Sequence, residues 1–261
     1  MTPRSPDVPG SHDSGRPASD DAGRPAAHGA GRPADTGVLP RDFFARPSLE
    51  VAPDLLGCVI AHETAEGLVA VMLTEVEAYA GESDPASHAY RGQTARNAVM
   101  FGPPGHVYVY FTYGMHFCMN LVCQAEHGAS AVLLRAGRVI EGVPLATARR
   151  AKRLARAAPR EVDLARGPAR LCEALAVDLW HDGADAVDPA SPLRALAASA
   201  PVPAADITRG PRVGISRATD RPWRFWITGD PTVSPYRAYA ARRVRAKPVT
   251  GPGREGGTIP P

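Results

Sequence analysis

Gly105-His106-Val107-Tyr108-Val109-Tyr110-Phe111-Thr112-Tyr113-Gly114, followed closely by Phe117-Cys118-Met119-Asn120-Leu121-Val122-Cys123-Gln124, is the stretch whose reading decides the fold class. Val, Leu, Tyr and Phe suit a pleated surface, and the Gly after Tyr113 suits a tight turn, so the stretch reads as two strands joined into a hairpin. Alternation places Tyr108 and Tyr110 on one face and Val107, Val109 and Phe111 on the other, with Tyr113 expected at the exposed tip. Outward from this hairpin, residues 57–62, 68–79 and 130–136 also read as strands, as do 211–216 and 223–228. Helices are expected at 144–157 and 168–177, each opened by a proline (Pro144, Pro168) in a position that tolerates it. Residues 178–210, rich in Ala, Pro and Asp, read as a long loop. Clustered strands joined mostly by short turns favour an α+β domain with a largely antiparallel sheet over alternating βαβ units.

The ends of the chain are different in kind. Gly-Arg-Pro-Ala recurs at 15, 23 and 31 with almost nothing large and apolar between the copies, so residues 1–37 are expected to be a disordered tail. Residues 251–261 read as a second loose tail, leaving 38–250 as the folded domain. No run approaches the roughly 18 apolar residues of a membrane span, and the N-terminus lacks the apolar core of a signal peptide. The expectation is a soluble, cytoplasmic protein with no membrane partner, acting as a monomer. Cys58, Cys118, Cys123 and Cys172 are too sparse for a disulfide scaffold and lack a zinc-site pattern, so they read as buried thiols. The net charge of +3 is modest, but Arg135 to Arg170 alone carries a local surplus of seven positive charges. Arg237, Arg242, Arg243, Arg245 and Lys247 form a second cluster, and two such patches could neutralise duplex phosphates. The alternative for Arg149 to Arg156 is a solvated helix face.

The candidate chemistry lies in Thr74-Glu75-Val76-Glu77-Ala78-Tyr79, where alternation puts Glu75, Glu77 and Tyr79 on one face. Five of the seven tyrosines (Tyr79, Tyr90, Tyr108, Tyr110, Tyr113) fall between positions 79 and 113. At a strand end such an acidic face is either solvated or lines a site, and tyrosines within a strand suit ordinary cross-strand packing, whereas an aromatic at an exposed hairpin tip beside basic segments suits a wedge into a base stack.

These residues resemble the alkyladenine (3-methyladenine) DNA glycosylase family. The resemblance begins at VAPDLLG (51–57) and runs through TEVEAYAGESDPASHAYRG, RNAVMFGPPGHVYVYFTYGMHFCMN and VLLRAG. It continues with GPARLCEAL, RVGIS and PWRFWITGDPTVS, and so covers nearly all of residues 38–236. It implies a single mixed domain around a curved antiparallel sheet, with no metal and no cofactor, acting on double-stranded DNA that contains damaged purines. It also implies site roles. Glu77 corresponds to the general base that activates water, with Arg135 helping to place the flipped nucleotide and its water. Tyr79, His88 and Tyr110 correspond to the walls that hold the flipped base. Asn120 corresponds to the pocket residue that discriminates against the guanine 2-amino group, and Tyr113 to the side chain that enters the duplex. The repetitive N-terminal tail and the segment 178–210 depart from the family pattern. Without the resemblance, His88 could bridge a loop, Asn120 could cap a strand end, and Arg135 could be a strand-end surface charge.

Composition separates two reaction classes independently. A lyase needs an amine at C1′, and the only lysines, Lys152 and Lys247, lie outside the tyrosine cluster, which favours attack by water. A zinc deaminase needs His-x-Glu followed by Pro-Cys-x-x-Cys, and neither string occurs. The remaining alternative is a non-catalytic DNA-damage binding module, which has no use for an acid facing its pocket.

Overall fold

The computed structural model describes residues 37–112, 114–124, 128–153 and 158–238. The expected tails at 1–37 and 251–261 fall outside these residues except for Gly37, as do Tyr113 and the basic residues 242–247. The described residues all belong to one compact unit, 31–261.

At its centre the described residues form a sheet of nine strands in which every pairing is antiparallel. The strands are β1 (Val59–Thr64), β2 (Gly67–Tyr79), β3 (Val107–Thr112), β4 (His116–Cys123), β5 (Ser130–Glu141), β6 (Ala165–Arg166), β7 (Leu193–Leu196), β8 (Ile207–Gly210) and β9 (Arg224–Ile227). The main order is β3-β4-β5-β2-β1-β7. Long β2 changes partners along one edge: residues 67–72 pair with β1, and Glu75 to Glu77 pair with β9. Among the described residues, four α-helices cover the sheet: α1 (Arg41–Phe44), α2 (Ser48–Asp54), α3 (Val143–Arg153) and α4 (Pro168–Leu175). Leu171, Cys172, Ala174 and Leu175 of α4 join the main core with Val132 and Leu134 of β5 and Met119 and Leu121 of β4. All four cysteines are buried and free of disulfides, as their spacing suggests.

The α+β reading and the central hairpin stand, with Thr112 opposite His116 at the end of the β3–β4 ladder. Three local readings are corrected. Residues 211–216 are not a strand: Pro211 brings no N–H to a ladder, and the Val213 N–H is taken by a side chain. Residues 178–210 are not one loop, because β7 and β8 lie within them; their Ala and Arg content gives little strand signal. Strand β5 runs on to Glu141, past Gly137, where the sequence suggested a stop.

Gly137 marks a close approach. A Cβ there would press into the Met72 carbonyl oxygen and Val71 Cγ1 of β2. Gly137→Ala is therefore expected to cost about 1–3 kcal/mol in chemical denaturation, the usual range for an overpacked interior. An unchanged denaturation midpoint would contradict the tight β2–β5 contact.

Candidate active site

Strand β2 changes phase in its middle. Val69, Val71 and Leu73 face the main core at odd positions, whereas Val76 and Ala78 face it at even ones. The shift comes from irregular register: Leu73 pairs with Gly137 and Glu75 with Ala136, leaving Thr74 as an extra residue. Next, Val76 pairs with Leu134, leaving Arg135 as an extra residue on β5. Uninterrupted alternation would have aimed Glu75 and Glu77 into the apolar core. The paired bulges turn both carboxylates to the opposite face and send Arg135 with them.

On that face the register forms a row across four strands. Glu77 pairs with Leu133, Leu133 with Asn120, and Asn120 with Tyr108. Paired residues point to the same side, so strand pairing alone gathers these side chains from distant parts of the chain. Above the row opens a cleft of about 730 Å³ whose lining includes Tyr79, His88, Tyr110, Asn120 and Arg135. Its size lies within the ordinary range for a site that encloses a small organic group.

Glu77 lies behind the lining and is fully buried. Its Oε2 accepts the Tyr79 hydroxyl at 2.8 Å and its Oε1 accepts the Val213 N–H at 2.7 Å. Arg135 Nη1 stands 3.3 Å from Oε1. Arg135 also donates from Nε to Glu75 Oε1 at 2.7 Å, where Arg224 Nε donates at 2.7 Å too. Ser234 completes the Glu75 shell, its N–H donating to Oε2 at 2.6 Å and its hydroxyl to Oε1 at 2.9 Å. Burial opposes the Glu75 charge, but the Arg135 and Arg224 guanidiniums outweigh it and hold the carboxyl below its ordinary range. Burial likewise opposes the Arg135 charge, and Glu77 and Glu75 reverse that effect, holding its pKa above the usual arginine value. Arg135 is thus a buried, fixed cation between two acids, and the reading of it as a surface charge is excluded.

The opposite wall is aromatic. The His88 ring meets Tyr110 edge to face at 4.5 Å between centroids, and Tyr108 lies 5.7 Å from Tyr110. His88 Nδ1 is 3.0 Å from the Tyr108 hydroxyl. Desolvation in the wall, then the nearby Arg96 cation, lower the His88 pKa below the usual histidine value, which favours a neutral ring at neutral pH. Burial raises the Tyr79 and Tyr110 pKa values, so both phenols stay protonated. Asn120 is buried and donates from Nδ2 to the Tyr108 carbonyl at 3.0 Å.

Six of the seven residues singled out in the sequence therefore meet around one cleft; Tyr113 lies outside the described residues, although Thr112 before it lines the same cleft. The basic segment behaves differently from its net charge. Arg138 pairs with Asp230, Arg149 and Lys152 with Glu66, Arg150 with Glu173, and Arg160, Arg166 and Arg170 with Asp163. Asp230, Glu66 and Glu173 lie outside the segment and pair with four of its cations, so a count along 135–170 overstated the charge left to meet a ligand; Asp163 lies inside it and was already in the count. Exposed guanidiniums at the cleft belong instead to Arg91, Arg96 and Arg217.

Sequence reading also missed three supports. Asn97 holds the His88 loop, donating to the His88 carbonyl at 2.9 Å and the Gly92 carbonyl at 3.1 Å. Val213 reaches Glu77 through its main chain, which no side-chain pattern reveals. The Asp84–Arg212 pair joins residues 128 apart in sequence. Both RVGIS and the GESDP turn stand within the strings that carry the resemblance, and that was the signal available.

Comparison with known proteins adds an independent line. The methylpurine-DNA glycosylase family matches over residues 42–231, which spans every residue of the cleft discussed above. The chain belongs to this family. A relative from Streptomyces avermitilis is 58% identical over 212 residues, covering 81% of this chain and 97% of the relative. One from Leifsonia xyli subsp. xyli is 52% identical over 205 residues, covering 77% and 93% respectively. One from Burkholderia lata is 47% identical over 197 residues, covering 76% and 91%. All three carry the description "Putative 3-methyladenine DNA glycosylase".

Proposed function

We propose that this chain is a monofunctional DNA N-glycosylase that flips a damaged purine out of duplex DNA and hydrolyses its glycosidic bond with water activated by Glu77. The observation that carries this reading is the position of Glu77: a buried carboxylate gripped by the Tyr79 hydroxyl, the Val213 N–H and Arg135 behind an aromatic cleft. A pure binding module gains nothing from burying an acid there.

The chemistry follows from the groups present. A base inside the duplex shields C1′, so the nucleotide must be extruded at a cost of a few kcal/mol, least for a damaged or mispaired base. Stacking on Tyr79, His88 and Tyr110 offsets that cost, at about 1–3 kcal/mol per stacked base. Tyr113, which follows Thr112 in the sequence, supplies the wedge for the vacated stack. Arg91, Arg96 and Arg217 supply phosphate contacts at the cleft mouth. Each carboxylate oxygen accepts more than one hydrogen bond, so Glu77 can keep its Tyr79 and Val213 donors and still accept from a water. As the glycosidic bond breaks, the sugar gains positive charge; Glu77 takes the water's proton and stabilises that charge in a poorly hydrated setting. Arg135 keeps the two neighbouring acids from repelling each other and orients the water. Asn120, fixed by its bond to the Tyr108 carbonyl, screens the purine edge against a 2-amino group.

The substrates proposed are 3-methyladenine, 7-methylguanine, hypoxanthine and ethenoadenine, processed by a monomer without metal or cofactor. The test is incubation with duplexes each carrying one defined lesion, followed by alkaline cleavage of abasic sites. Excision of at least one lesion, with no adduct trapped by borohydride, is the expected result. Lesion binding without excision would favour a damage-binding module, and a trapped adduct would replace water with an amine nucleophile.

A further inference from the structure

Arg212 has no place in the mechanism above, yet it is among the largest fully buried side chains. Its Nη1 donates to Asp84 Oδ2 at 2.5 Å and to the Ala78 carbonyl at 2.9 Å, and its Nη2 donates to Asp84 Oδ1 at 2.9 Å. The guanidinium lies over the Tyr79 ring at 4.6 Å and over the Trp223 ring at 5.0 Å. Arg221 also stacks on Trp223, at 4.5 Å. Three separate segments meet on this one cation: the end of β2, the turn that leads to His88, and the segment whose next residue, Val213, donates to Glu77.

Stability alone is a poor account of this arrangement. Desolvating an ion pair can cost as much as the pair returns, and an apolar replacement of similar volume is often as stable. The Nε–H of Arg212 is moreover buried without a hydrogen-bond partner among the described residues. A planar fork that stacks and bridges in fixed directions is instead a means of fixing geometry.

We infer that Arg212 is a positioning residue of the glycosylase site: by clamping Asp84 and Ala78 and lying over Tyr79, it sets the Val213 amide against Glu77 and fixes the Tyr79 ring in the cleft wall. The carboxylate and the platform for the flipped base are thereby held in one mutual geometry. This inference rests on the reading of Glu77 as the base that activates water.

The experiment measures single-turnover excision on a lesion that the wild-type protein processes, at enzyme concentrations that separate the maximal rate from half-saturation. Arg212→Lys keeps the charge and loses the fork and the stack. Its maximal rate is expected to fall about 10- to 100-fold, the order of loss for an ångström-scale misplacement at a reaction centre. Half-saturation is expected to move by less than about threefold, because lost transition-state geometry reads out in the rate at saturation. The double variant Asp84→Asn/Arg212→Gln keeps a hydrogen-bonded bridge without buried charges, so it should melt near the wild type and remain slow. A double variant that is folded and excises at the wild-type maximal rate overturns the inference, whatever the Lys variant does. Wild-type protein that excises no lesion sinks the functional reading itself, a separate outcome visible before any variant is made.

Discussion

Glu77→Gln is expected to excise damaged bases about 10²- to 10⁴-fold more slowly than the wild type in single-turnover assays, with affinity for lesion DNA retained. The range is that of a positioned general base, which the amide cannot replace because it takes no proton at neutral pH. The local structure accommodates the substitution. The amide oxygen can sit where Oε1 accepts the Val213 N–H, and the amide nitrogen can donate to the Tyr79 hydroxyl, which then acts as acceptor. Loss of rate without loss of fold is therefore the specific expectation. Gel-shift affinity together with a thermal melt checks it, and near-normal excision would remove Glu77 from the role of base.

The neighbouring acid should behave in the opposite way. Glu75→Gln is expected to destabilise the protein by about 3–5 kcal/mol, the cost of leaving buried cations without their counter-charge. Arg135 and Arg224 both donate to Glu75 Oε1, and both are buried. The pH dependence has a definite sign. The Glu75 carboxyl is held below its ordinary value of 4.5, so ionised Glu75 contributes stability that is fully present above that value. The contribution fades as pH falls below 4.5 and through the lower folded-state value. In urea titrations from pH 7 to pH 3, the gap between wild type and variant should be widest at neutral pH and narrow toward the acid end. A gap that stays constant over this range would show that Glu75 acts by packing.

The contrast between these two acids bounds what sequence reading can reach. Alternation in TEVEAY places Glu75, Glu77 and Tyr79 on one side, and the structure agrees from Glu75 onward. The same rule applied from Val69 would put both acids in the core, because nothing in Leu73-Thr74-Glu75 announces a bulge. The hairpin was legible because Tyr, Val and Phe alternate between a glycine-rich entry and a glycine turn. Strands β7 and β8 were not, since a four-residue edge strand gains its shape from its neighbour more than from its own residues. Tyr79, His88, Tyr110, Asn120 and Arg135 could be named through the family resemblance. Strand register with its paired bulges brings Tyr79, Tyr110, Asn120 and Arg135 together, and His88 joins them on the loop that Asn97 holds. Val213 and Arg212 act through a main-chain amide and a contact remote in sequence, and a linear reading weighs neither.

The exchange of partners along β2 sets an order of events during synthesis. The half of β2 that carries Glu75 and Glu77 is closed on one edge by β9, whose Arg224 lies 149 residues beyond Glu75. While the chain is still being made, the β3–β4 hairpin and the β2–β5 ladder can form, but the acid-bearing edge waits for a late C-terminal segment. Contacts this distant in sequence are closed last, after their loop entropy has been met. A ribosome-bound intermediate ending before Arg224 carries the aromatic wall and Arg135, but lacks the second guanidinium and both Ser234 donors that complete the shell of Glu75. The carboxylate that anchors Arg135 is therefore fully satisfied only by a segment made after every strand of the aromatic wall.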